Sequence, residues 1–109
     1  MPSEYETLVA ALNLTDIPFA EYGWRTRPEG AYGVVSLDFE ADAMRGDDAK
    51  LDTAWEGSVD LFSLARNGAG WVPLITAALE THCGPCWSLN SHTYERETGL
   101  FHWEWVFEV

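Results

Sequence analysis

The chain has 109 residues and a net charge of −12, with 18 acidic against 6 basic side chains, which is the length of one domain and too short for two independent cores. With 47% apolar residues, six Trp, four Tyr and five Phe, it can offset its chain entropy by burying about 65% of the surface its unfolded form exposes, which excludes a disordered chain. The excess of negative charge repels phosphate, so the surface as a whole is excluded from gripping nucleic acid or an anionic membrane.

Ser3 and Glu6 form an S-x-x-E capping box, a helix-start signal. Tyr5, Leu8, Val9 and Leu12 follow at i, i+3, i+4 and i+7, which predicts a short amphipathic helix over residues 4–13. Pro18 opens a new element, and Phe19 to Trp24 reads as a short strand. Arg25 to Gly30, with Pro28 and Gly30, reads as a loop. From Ala31 to Ala41 the pattern alternates, setting Val35, Leu37 and Phe39 against Tyr32, Val34, Ser36, Asp38 and Glu40. Asp42 to Asp52, with Gly46-Asp47-Asp48, is charged and reads as a solvated loop. The next strand places Trp55, Gly57, Val59 and Leu61 on one face and Glu56, Ser58 and Asp60 on the other.

Asn67-Gly68-Ala69-Gly70 breaks that strand, after which Trp71, Leu74, Ile75, Ala78, Leu79 and His82 recur at helical spacing. Pro73 is tolerated there because it falls in the first turn. Trp87 to Leu89 and Thr93 to Glu97 are strand-like, and Thr98-Gly99 supplies a turn. Phe101, Trp103, Trp105, Phe107 and Val109 then alternate with His102, Glu104 and Glu108.

This order predicts one α+β domain over residues 1–109, an antiparallel sheet packed on one face by two helices. Phe101, Trp103, Trp105 and Phe107 are expected to face the helices, with Trp103 or Trp105 meeting Trp71, Leu74, Ile75 and Leu79. No apolar run approaches the roughly 20 residues that span a bilayer. Met1-Pro2-Ser3-Glu4 lacks the basic start of a signal peptide. The expectation is a soluble chain made in the cytoplasm, without a membrane partner.

Cys83-Gly84-Pro85-Cys86 matches the C-x-x-C string of dithiol oxidoreductases, whose first Cys sits at a helix N-terminus where the dipole stabilises a thiolate. Here the string follows a helix, and Gly84-Pro85 is where a helix stops. It therefore reads as a C-cap carrying two thiols, with the redox pair Cys83 and Cys86 as the alternative. A zinc reading would draw on His82, Cys83, Cys86 and His92, but their spacing matches no standard finger. Asp38, Glu40, Glu56 and Asp60 fall on outward faces, where solvated charge is the default. His102 and Glu104 share a face with no nucleophile at a recognisable elbow. No catalytic motif, metal site or cofactor is predicted. The six Trp exceed what so small a core obviously needs, so part of the aromatic set is a candidate interface.

The order of elements and several strings resemble the tail-completion or tail-terminator proteins of long-tailed phages and their prophage relatives. The likeness runs over nearly the whole chain. It takes in the first helix ending near Leu12, Ile17-Pro18-Phe19-Ala20-Glu21-Tyr22, Pro28 with Ala31-Tyr32, Ala41-Asp42, and Val59-Asp60-Leu61-Phe62-Ser63. The close carries most of it: Tyr94, Glu97-Thr98-Gly99-Leu100, His102 and Phe107-Glu108-Val109. The extra Trp residues and the Cys pair depart from the family's pattern, so contacts there are not carried over.

The resemblance implies a non-enzymatic virion subunit of the tail–head joint, a homo-oligomer forming a ring, hexameric in the assembled tail. Such a ring caps the tail tube protein and docks to the head connector protein, while DNA passes through without specific binding; an acidic lumen suits that passage. A closed ring needs a heterologous interface on each subunit, and the candidate residues are Trp24, Arg25 and Arg27 near the first loop and Met44 and Arg45 in the second. The turn-rich loops imply that the isolated subunit is monomeric or weakly associated. Besides the dithiol oxidoreductase, the remaining alternative is an acidic DNA-mimic inhibitor that occupies a basic partner.

Overall fold

The computed structural model describes residues 3–41, 54–64 and 70–109. Along the chain run α1 (Ser3–Leu12), β1 (Phe19–Glu21), β2 (Tyr32–Ala41), β3 (Ala54–Ser63), α2 (Trp71–Cys83), β4 (Trp87–Glu95) and β5 (Leu100–Glu108). The five strands form one sheet in the order β1-β2-β3-β5-β4, giving the expected α+β architecture. One pairing departs from the antiparallel expectation: β1 runs parallel to β2, with Phe19 opposite Gly33 and Glu21 opposite Val35. The expected loop at Asp42 to Asp52 and the break at Asn67 to Ala69 lie outside the described residues.

Side-chain alternation builds the core. Val35 pairs with Val59 and Val59 with Trp105; Leu37 pairs with Gly57 and Gly57 with Phe107; Leu61 pairs with Trp103. Directly paired residues share a sheet face, so these rows stack into one apolar surface. Both helices cover it: Tyr5, Leu8 and Leu12 of α1 and Ile75, Leu79 and Cys83 of α2 join Val35, Leu37, Val59, Leu61, Trp103, Trp105 and Phe107 in a single buried cluster. Burying a side chain of this size is worth about 1.5–3 kcal/mol each, which is why the alternating strands and the helical stripes settle against each other. Gly57 is fixed by this packing. A Cβ there would land on the Ser36 carbonyl oxygen and on the Phe107 ring.

Four local expectations change. α1 already includes Ser3, and among the described residues no bond joins Ser3 to Glu6; Thr7 Oγ1 instead donates to the Glu4 carbonyl at 2.9 Å. In α2, Leu74 is 47% exposed, so the buried stripe is Ile75, Leu79 and Cys83, with Trp71, Val72 and Ala78 packed at its margin. A bulge between Leu37 and Phe39 interrupts the alternation of β2 and pairs Phe39 with Glu56. β4 is one strand where two fragments were expected, because a second bulge between Leu89 and Ser91 switches which residues face the core side: Trp87 and Leu89 before it, His92 and Tyr94 after it.

Candidate functional site

Both helices lie on one face of the sheet, and the other face carries the constellation that sequence reasoning missed. Tyr32 of β2, Phe62 of β3 and His102 of β5 are opposed in register. Their rings form a cross-strand stack, with centroids 4.8 Å apart for Tyr32 and Phe62 and 4.2 Å for Phe62 and His102. Trp24 closes the β1 end edge-on to Tyr32 at 6.4 Å, and its indole Nε1 donates to the Gly33 carbonyl at 2.8 Å. Tyr32 is consequently only 8% exposed although no described helix covers it.

His102 ends the stack between two carboxylates. Its Nε2 lies 2.7 Å from Asp60 Oδ1 of β3, and its Nδ1 lies 3.0 Å from Glu95 Oε2 of β4. Neutral imidazole has one N–H, so only the doubly protonated ring can donate to both oxygens. The hydrogen bond to Asp60 raises the His102 pKa above its ordinary 6.5; burial opposes the rise, and the charges of Asp60 and Glu95 reinforce it. Glu95 is itself held: Thr98 Oγ1, in the turn to β5, donates to its other oxygen at 3.1 Å. Alongside, Asn90 at the β4 bulge donates to Glu104 Oε1 at 3.0 Å. With both ring nitrogens engaged, His102 presents no lone pair to a substrate. The arrangement holds a proton between strands; it is not set as a general base.

The rest of this face is acidic. Glu56, Asp60, Glu95, Glu104 and Glu108 belong to its strands, and β2 to β5 contain no Lys or Arg. A shallow cavity of about 290 Å³ lies at the far end of the sheet, walled by Glu56, Cys86, Trp87, Val106 and Glu108.

Of the candidate interface residues, Trp24, Arg25 and Arg27 fall within the described residues. Trp24 is spent on the ring stack, while Arg25 and Arg27 are exposed in the segment that follows it; Met44 and Arg45 lie outside the described residues. Cys83 is the last residue of α2 and Gly84 its cap, with Gly84 N–H donating to the Glu80 carbonyl, so the C-cap reading of the C-x-x-C string holds. Both cysteines are free, Cys83 buried and Cys86 exposed. Burial pushes the Cys83 thiol up to about 12, with the neighbouring Cys86 adding to the rise. A helix C-terminus carries partial negative charge, so the site opposes the thiolate that dithiol exchange requires. His92 stacks on Trp103 at 4.4 Å. Among the described residues no group of three or more His, Cys, Asp or Glu is placed to hold a metal ion, so His82, Cys83, Cys86 and His92 form no ligand set. No described helix is long and apolar enough to cross a membrane.

No protein-family model matches the chain, and no curated protein matches it.

Proposed function

We propose that this chain is a non-enzymatic subunit of the tail–head joint of a long-tailed phage or prophage, acting in the virion as a ring that caps the tail tube and docks to the head connector. The observation that carries the reading is the one-sided sheet. Its helices cover a single face, and the other face, with the outer edge of β4, is left among the described residues to acidic, hydroxyl and aromatic side chains together with Val34 and Val106. A subunit that works by contact needs such surfaces, since a heterologous ring interface uses two different patches of each copy. The family strings supply the place of assembly, and the acidic face suits a ring through which DNA must slide.

Deletion of the gene followed by electron microscopy tests the proposal. Tails of abnormal length, or heads without tails, are expected; normal particles overturn it. Complementation by Cys83→Ser and Cys86→Ser variants is expected to restore normal particles, and a failure specific to these variants would favour the dithiol alternative.

A further inference from the structure

We propose that His102 is a protonation latch: as the doubly protonated ring it ties β3 to the edge strand β4 across β5, and on losing its proton it frees the β4–β5 end of the sheet. The inference goes beyond the assembly reading and does not depend on it.

The geometry supplies both halves of the latch. Among the described residues β4 pairs only with β5, so its far end is held to the rest of the sheet by side chains and by the turn. Glu95 is the last residue of β4, opposite Leu100, the first of β5. The imidazolium bridges that terminal carboxylate to Asp60, on a strand two places away. Its ring also lies on Phe62 at 4.2 Å and 21°, so the positive charge has an aromatic face beneath it as well as two carboxylates beside it.

The charged groups nearest the ring are carboxylates. From β3 the ring faces Asp60; from β4 it faces Glu95; along its own strand the next residue on the same face is Glu104, which pairs with Asp60. The adjoining turn adds exposed Arg96 and Glu97, while β2 contributes Tyr32, stacked on the far side of Phe62. The helices lie on the opposite face. Removing the proton leaves one ring nitrogen aimed at a carboxylate as an acceptor facing an acceptor, and it leaves Asp60 and Glu95 without their shared cation. The hydrogen bond that held β4 to β3 becomes a repulsion at the end of an edge strand, where local opening is least costly.

Because the folded state holds the proton more tightly than the unfolded chain, the latch is fully closed below pH 6.5 and is lost as the pH rises through the raised value. The full chain is used for the test, with nitrogen-15 NMR of the ring and amide hydrogen exchange. Both His102 ring nitrogens are expected to carry protons at pH 6, with a titration midpoint above 6.5; a midpoint at or below 6.5 overturns the proposal. Between pH 6 and pH 9, protection of the paired amides at the Glu95–Leu100 end should fall at least tenfold relative to α2. His102→Phe keeps a ring on Phe62 without the proton, and its protection ratio is expected to stay flat; an equal fall in that variant, or none in the native chain, refutes the latch. Should His102→Phe fail to fold, Glu95→Gln takes its place: a lowered midpoint and a smaller fall are expected, and an unchanged midpoint is contrary.

Discussion

The two thiols of one short string have opposite surroundings. Cys83 closes α2 inside the apolar cluster, and burial holds its proton to about 12; Cys86 is exposed at the start of the last hairpin. The thiolate is the species that attacks a disulfide reagent and expels its other thiol, so at pH 8 such a reagent is expected to modify one cysteine per native chain, at Cys86, and the second only after denaturation. Mass mapping of the label checks this, and rapid native labelling of Cys83 would contradict the packing. The sequence already placed this pair, because Gly84 and Pro85 are helix-stopping residues whatever surrounds them. His102 was not readable in the same way. Its partners, Asp60 and Glu95, are 42 and 7 positions away, and only strand order brings them together. The available signal was weak: His102 stands on the polar face of a strand otherwise bearing carboxylates.

Strands and helices were readable where one rule acts alone. β5 alternates without interruption, and the structure buries Trp103, Trp105 and Phe107 to 4% exposure or less. Where two rules compete, the sequence misleads. The apolar stripe of α2 admits both Leu74 and Ile75, but a helix presents one narrow arc to a flat sheet, and Ile75 takes it. The bulge in β4 reverses the side-chain parity, so a period-of-two reading finds two fragments with a gap. The parallel β1 pairing has no periodic signature at all in three residues; it follows from Phe19 covering Gly33, where a Cβ would strike the ring. Because β5 lies between β3 and β4, its loss removes two strand ladders together with the core residues it carries. Trp105→Ala is expected to destabilise the domain by about 3–5 kcal/mol, lowering Tm by at least ~12 °C. Removing residues 105–109 should abolish the cooperative transition, since core and strand pairing go together. Thermal denaturation followed by circular dichroism measures both. An unchanged Tm for Trp105→Ala with loss of the proposed tail attachment would reassign this strand from core to interface.

At the scale of the molecule, charge and surface pull against each other. The uncovered sheet face and the outer edge of β4 are suited to contact, and a free edge is the usual route by which sheets join. The edge is nonetheless blunted by the bulge at Asn90 and by Ser88, Asn90, Ser91 and Thr93 along it. A net charge of −12 adds mutual repulsion between identical copies, which acts over about 10 Å in 0.1 M salt and about 3 Å in 1 M salt. Ring closure without a template would demand that each copy overcome this repulsion at two interfaces at once. The isolated chain is therefore expected to be monomeric or weakly associated; in the proposed role, a finished tail would supply the first interface. Light scattering across a range of protein concentrations decides it: a mass near 12.2 kDa is expected at micromolar concentration in 0.1 M salt, with association strengthening as salt is added. A stable ring under those dilute, low-salt conditions would show that the subunit closes by itself and that its repulsion is neutralised within the interface.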